Sequence, residues 1–190
     1  MLSCAELLHT HRSGGLRLER KRTENRWVFD SNHPGCEQYA GQGNHNLRVG
    51  DVDGDGCDEI IYGSCAIDHN GKGLYSTRMG HGDAIHLTHF DPSRKGLQVW
   101  DCHENKRDGS TYRDAATGEI LFQIKDSTDV GRCMAADIDP THPGVKCGLF
   151  ASGGIRNIKG EVVKAVSEDC HVIWLSGGTV IYFANCWIEI

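Results

Sequence analysis

Asp51-Val52-Asp53-Gly54-Asp55-Gly56-Cys57-Asp58-Glu59-Ile60-Ile61-Tyr62 puts five carboxylates into nine residues and passes directly into an apolar, β-branched and aromatic run. So many like charges in one turn repel each other unless a cation neutralises them. Ca2+ is a hard ion that takes about six to eight oxygen ligands, and a short loop with carboxylates at alternate positions and glycines at the bends can wrap it. Asp51, Asp53, Asp55, Asp58 and Glu59 are therefore candidate metal ligands, with Ca2+ as the expected ion. The segment Ile60-Ile61-Tyr62 favours strand, so the loop is expected to join strand to strand.

Two other structures could carry such a loop. A helix-flanked EF-hand loop also begins D-x-D-x-D-G but closes on a bidentate Glu at its twelfth position. Tyr62 stands there instead, so that pattern fails. An acidic, glycine-rich hairpin without metal is the remaining alternative.

Used as a template, the loop reveals a repeat. Leu47 to Gly54 is echoed by Ile85 to Pro92 and by Met134 to Pro140, each an apolar strand followed by x-Φ-Asp-Gly/Pro. A glycine-containing loop and a second strand follow in each copy: Ile60-Ile61-Tyr62, Leu97-Gln98-Val99-Trp100 and Gly148-Leu149-Phe150. The anchors Asp53, Asp91 and Asp139 lie 38 and 48 positions apart, near the roughly 40–50 residues of a propeller blade. Asp91, Asp137 and Asp139 thereby join the candidate metal ligands.

Further segments supply the remaining strands. Ser110 to Gln123 reads as strand, tight turn at Thr117-Gly118, strand, and Trp27-Val28-Phe29-Asp30 as a short strand near the front. The expected fold is all-β: a partial β-propeller of three four-stranded blades with calcium-binding loops. Three blades cannot close a ring and would leave unpaired edges, so the chain is expected to be a piece of something longer.

Composition narrows the functional classes. The 190 residues carry 20 Lys plus Arg against 26 Asp plus Glu, a formal net charge of −6, which argues against a nucleic-acid partner. No run approaches the roughly 18 apolar residues of a membrane span, and the N-terminus lacks the pattern of a signal peptide. Nine cysteines without a C-x-x-C pair indicate neither a zinc ribbon nor a complete disulfide framework, and read as scattered buried thiols.

Gly41-Gln42-Gly43-Asn44-His45-Asn46, Asp51 to Tyr62, Leu74-Tyr75-Ser76, Gly80-His81-Gly82-Asp83-Ala84-Ile85-His86, Asp114-Ala115-Ala116-Thr117-Gly118 and Asp129-Val130-Gly131-Arg132, taken together, resemble a rhamnogalacturonan lyase of polysaccharide lyase family 11. The resemblance implies an eight-bladed parent propeller with several Ca2+ ions, a secreted monomer, and β-elimination at rhamnose-to-galacturonate linkages of rhamnogalacturonan I. Cleavage within the polymer chain is expected. Blade sequence is expected over 26–163, with a non-matching or truncated segment at 1–25. The segment 164–190 matches poorly and reads as truncated or frame-shifted. Blades of the parent are expected to be missing on both sides, which would leave this piece inactive alone.

The resemblance also implies that His81, Asp83, His86, His103 and Glu104 help hold calcium near the substrate groove. Imidazole is an unusual calcium ligand, so proton transfer and plain structural hydrogen bonding stay open for these histidines. Asn44, His45 and Asn46 offer polar groups to sugar hydroxyls, or else form an Asx-type turn. Arg132 offers a bidentate partner to a uronate, or else a structural contact to the Asp129 region. His9, His11, His33, His69, His142 and His171 stand alone and read as surface or structural, and no catalytic base is assigned. The competing function is a non-catalytic calcium propeller for adhesion or carbohydrate binding. H-G-D-x-x-H and D-A-A-T-G favour the lyase, because a generic calcium blade needs neither.

Overall fold

A computed structural model describes residues 27–137, 141–149 and 154–164. The expectations for 1–25, for 165–190, for Asp139 and for His9, His11 and His171 lie outside the described residues. The described chain is all-β, with three four-stranded antiparallel sheets, each a simple meander. The first holds β1 (Arg48–Gly50), β2 (Glu59–Tyr62), β3 (Cys65–Ile67) and β4 (Gly73–Ser76) in that order. β5 (Gly82–Thr88), β6 (Gln98–His103), β7 (Ser110–Asp114) and β8 (Ile120–Ile124) form the second. The third is β9 (Cys133–Ala136), β10 (Lys146–Leu149), β11 (Gly154–Arg156) and β12 (Val162–Lys164). Among the described residues the only helical element is a 3-10 turn at Glu37–Tyr39, and none is long and apolar enough to cross a membrane.

The acidic loop joins β1 to β2, as a strand-to-strand loop should. Both second strands, β2 and β6, are buried along their whole length, taking in the polar Glu59, Gln98, Asp101 and His103 as well as their apolar residues. Their side chains divide by parity between two faces. Ile60 and Tyr62 pack with Phe29, Tyr39, Cys65 and Ile67 on one side of the first sheet. Ile61 turns the other way, where Ala66, Ile85, Val99 and Ala115 join the first and second sheets. On β6, Trp100 and Cys102 face a separate core with Phe90, Tyr112, Cys133 and Cys147 between the second and third sheets. Phe122 lies 5.0 Å from the Tyr112 ring and 5.7 Å from Trp100, and each such aromatic pair adds about 0.5–1.5 kcal/mol beyond burial.

Two expectations need correction here. Trp27–Asp30 is not a strand: Trp27 Nε1 donates to the His69 carbonyl (2.7 Å) and Phe29 meets Tyr39 edge-on at 5.1 Å, so the segment caps the first sheet with side chains. Cys57 is exposed in the acidic loop, whereas Cys65, Cys102, Cys133 and Cys147 are the buried thiols expected.

Candidate functional site

The acidic loop is shaped by its own carboxylates. Asp51 accepts from Gly54 N (2.8 Å) and Gly56 N (3.1 Å), Asp53 from Asp55 N (3.1 Å), and Asp55 from Cys57 N (2.8 Å). Gly54 and Gly56 sit at φ 83° and 87°, a backbone region that glycine enters at little cost. Glu59 is fully buried: its Oε2 accepts from Val52 N (2.9 Å), while its Oε1 accepts no hydrogen bond. Ligand atoms of Asp51, Asp53 and Glu59 lie within 4.8 Å of one another. A buried carboxylate oxygen left without a donor, in an all-oxygen cluster, suits a hard divalent cation.

Three ligand candidates in this region were missed in the sequence: Cys57, Asp68 and His69. Glu59, Asp68 and His69 form an overlapping group, as do Asp55, Cys57 and His69, with His69 Nδ1 at 2.7 Å from Asp68, 3.2 Å from Asp55 and 3.6 Å from Glu59. The signal for Asp68 and His69 was the register of the β2–β3 hairpin. Because Gly63-Ser64 is a two-residue turn pairing Tyr62 with Cys65 and Ile60 with Ile67, the next residues outward, Glu59 and Asp68, must be neighbours. Asp58 belongs to none of these groups.

The repeat is real in the backbone but not in its loop chemistry. The residue opening the second strand fills the loop in each sheet: Glu59, Gln98 and Lys146. Gln98 Oε1 accepts from Phe90 N (3.0 Å) and Asp91 N (3.1 Å), a neutral closure. Asp91 folds its carboxylate onto Ser93, to N at 2.9 Å and Oγ at 2.6 Å, and joins no metal cluster. In the third sheet the buried Lys146 ammonium donates to Asp137 Oδ1 (2.8 Å), His142 O (2.7 Å) and Gly144 O (2.7 Å). Asp137 therefore already has a cation, supplied by the chain, and is corrected from ligand to ion-pair partner.

A second cluster forms where the first two sheets meet. The stretch 42–45 lies parallel to 80–82, through Gly82 N to Gly43 O (3.0 Å), His45 N to Gly82 O (3.3 Å) and a parallel bridge between Asn44 and Gly82. β5 then carries a bulge. Gly82 pairs with His103 and Ala84 with Cys102, so Asp83 is the extra residue, re-aimed away from the ladder. Gly82 is needed for this approach, since a Cβ there would collide with the Cys102 carbonyl. Glu104 N donates to His81 O (3.0 Å), which sets these two residues opposite each other.

Ligand atoms of His45, His81, Asp83 and Glu104 consequently lie within 4.8 Å of one another. His45 Nε2 is 3.1 Å from Asp83 Oδ1, and the two imidazoles meet edge-to-face at 4.9 Å. His81 Nδ1 is 3.0 Å from Glu104 Oε1 yet is not aligned for a hydrogen bond, leaving a second buried donor-acceptor atom unsatisfied. Burial and the nearby Glu104 push the Asp83 carboxyl above its usual range, which His45 and Arg132 only partly offset. This pocket favours positive charge. Arg132 Nη1 stands 3.8 Å from Asp83 Oδ2, and His45, Asn46, Asp83 and Arg132 line an open cavity of about 600 Å³.

The other expected residues separate from this cluster. His86 turns to the Cys133 carbonyl (3.2 Å), and burial holds its imidazole below the usual pKa. His103 is fully buried between Thr111 Oγ1 (2.9 Å) and Ser64 Oγ (3.4 Å), also with a lowered pKa from burial. Both are structural hydrogen-bonding groups and not cluster ligands. Asn44 is buried, donating to Asp101 (2.9 Å) and accepting from Asn46 N (3.3 Å), so the Asx-turn reading holds for it. Arg132 Nη1 donates to the Gly131 carbonyl and stands 3.8 Å from Asp83 Oδ2.

The chain belongs to rhamnogalacturonan lyase family 11, matching the description of its C-terminal domain over residues 16–183. It is 54% identical to the rhamnogalacturonan exolyase YesX of Bacillus subtilis over 170 residues, covering 84% of this chain and 28% of that enzyme. Identity to the rhamnogalacturonan endolyase YesW of the same organism is 55% over 136 residues, 70% of this chain and 22% of that one. The solved Bacillus licheniformis rhamnogalacturonan lyase superimposes with a TM-score of 0.76 at 49% identity, over 79% of this chain and 26% of that structure. The chain thus spans about a quarter of the length of these relatives.

Proposed function

We propose that this chain is part of a calcium-dependent rhamnogalacturonan lyase that cuts rhamnose-to-galacturonate linkages of rhamnogalacturonan I by β-elimination. The observation that carries the reading is the convergence of His45, His81, Asp83 and Glu104 beside a cavity lined by Arg132, in a chain of this family. Its three meanders, packed face to face, are read as consecutive blades of a β-propeller. An exolyase and an endolyase resemble the chain almost equally. What is assigned to this segment is therefore the elimination chemistry common to both, and not the internal cleavage expected from the sequence. A polymeric pectic substrate favours a reaction outside the cell.

In β-elimination a base takes the proton beside the uronate carboxylate, the electrons of that C–H bond form the new C=C bond, and the C4–O bond breaks with its electrons on the departing oxygen, which then takes up a proton. Negative charge grows on the carboxylate as this happens. The Arg132 guanidinium, half exposed at the cavity, presents a fork that matches a carboxylate, and Asn46 offers a neutral amide beside it. Asp83 and Glu104, with His45 and His81, would hold a divalent ion, and Asp51, Asp53 and Glu59 would hold another that rigidifies the acidic loop. Bound Ca2+ supplies Lewis-acid stabilisation of the uronate and removes the repulsion between an acidic protein and an acidic polymer.

Absorbance of unsaturated uronate released from rhamnogalacturonan I tests the reading. The complete polypeptide should produce it in calcium and lose that activity in chelator. Absence of product in calcium would leave a carbohydrate-binding module as the better description.

The loop series makes a paired stability test. Asp53→Ala should lower stability in calcium by up to about 2.7 kcal/mol at free calcium 100-fold above Kd, and barely at all in chelator, because the ion stabilises only the folded loop. Lys146→Met should cost about 1–3 kcal/mol equally in both conditions, since it leaves carbonyls unpaired whatever ion is present. Equal losses for Asp53→Ala in both buffers would rule out its role as a ligand.

A further inference from the structure

Arg78 is the only non-glycine residue among those described with a left-handed backbone, at φ 60°. Such a conformation persists in an L-residue only when its surroundings over-determine it, and it concentrates at binding sites. The surroundings here are specific. Arg78 N donates to Ser76 Oγ (3.3 Å), which itself donates to Gln38 O (2.8 Å), and Arg78 Nη2 donates to Gln38 Oε1 (3.4 Å).

The side chain stands at the edge of an open cavity of about 550 Å³ lined also by Gly35, Glu37, Gln38, Ala40 and Gln42. It is the one cationic group in that lining, it is exposed, and no carboxylate among the described residues lies within ion-pair distance of it. Glu37 does not compete: both its oxygens turn back to Gly35 N (3.1 and 3.0 Å), and backbone hydrogen bonds lower its pKa.

This cavity adjoins the His45–His81 cluster through the same parallel pair of segments. Gly80 N donates to Gln42 Oε1 (3.0 Å), tying together the residues two after Arg78 and three before His45. His45 lies three positions after Gln42 and His81 three after Arg78, a span of at most about 11 Å in each case. A guanidinium with free N–H groups, held by an amide and placed one short step from the reacting centre, suits a carboxylate.

We propose that Arg78, positioned by Gln38, forms a second anion subsite that binds the carboxylate of a neighbouring uronate in the same polymer chain. The inference rests on the lyase reading above. It gives the enzyme a way to recognise a backbone in which acidic and neutral sugars alternate.

The test uses the complete polypeptide with Arg78→Gly, which keeps the positive φ while removing the side chain, and Arg78→Lys, which restores a charge. Arg78→Gly should raise KM for rhamnogalacturonan I about tenfold, the size of one lost charge-assisted contact, with kcat within about twofold of the parent. Arg78→Lys should recover part of that loss. On an oligosaccharide too short to carry the second uronate, all three proteins should behave alike. Thermal stability of Arg78→Gly should match or exceed the parent. Unchanged KM on the polymer in an active parent overturns the subsite alone, and so does an equal loss on polymer and short substrate. A parent that releases no unsaturated uronate overturns the lyase reading and the subsite with it.

Discussion

Asp83→Asn is expected to lower kcat/KM on rhamnogalacturonan about 10²–10³-fold while leaving the strands intact. Asn preserves the shape of the bulge residue and removes only its charge. That charge sits 3.1 Å from His45 Nε2 and 3.8 Å from Arg132, in a pocket whose burial and whose Glu104 already make a lone carboxylate costly. Without it, the proposed divalent ion would lose a ligand, and His45 and Arg132 would lose the carboxylate that orients them. Raising free calcium should recover part of the rate, because weaker ion binding is one component of the defect. Activity within about threefold of the parent would show that Asp83 does not act in the site.

The second large effect concerns what holds the cluster from behind. Arg113 and Asp101 are both fully buried and pair at 3.1 Å across β6 and β7. Arg113 also donates to the Gly63 carbonyl in the first sheet, and Asp101 accepts from Asn44, the residue before His45. Arg113→Met would strand the Asp101 charge in the interior, a change that costs about 3–5 kcal/mol. A lower denaturant midpoint with an unchanged slope should report it. The double variant Asp101→Leu with Arg113→Met should regain most of the stability, since replacing both members of a buried pair by apolar groups is often neutral. It should not regain activity, because Asn44 no longer has its anchor. Full activity in a stable double variant would separate the ion pair from the site.

Much of the fold could be read from the sequence for a physical reason. Central strands buried on both faces, such as β2 and β6, carry short apolar clusters, Ile60-Ile61-Tyr62 and Val99-Trp100, that recur with the sheets, and the acidic loop marks where one begins. Trp27–Asp30 misled because an aromatic and β-branched segment that packs by side chains alone has the same composition as a strand. The site was legible in part. His81, Asp83 and Glu104 cluster as H-G-D and H-E suggested, and His45 joins them.

His86 entered only through the family resemblance; beyond the bulge at Asp83 its side chain meets the Cys133 carbonyl, away from the cluster. His103 failed because an adjacent acidic residue, Glu104, lies beyond the strand end while His103 remains inside the core. Asp137 was read as a ligand because the loop repeats D-x-D. Its partner Lys146 lies nine residues on, and only folding shows that an ammonium occupies the middle of that loop. Asp68 and His69 were accessible only by reasoning through hairpin register.

The bulge, the parallel bridge and the β6 terminus each contribute to one cluster, so its members come from separate meanders: His45 precedes the first, while His81, Asp83 and Glu104 flank or belong to the second. Arg132, just before the third, completes the cavity wall. Copying a single unit during gene duplication would therefore multiply scaffold without multiplying reactivity. Chemistry of this kind resides in the seams, and it is inherited only when neighbouring units are inherited together.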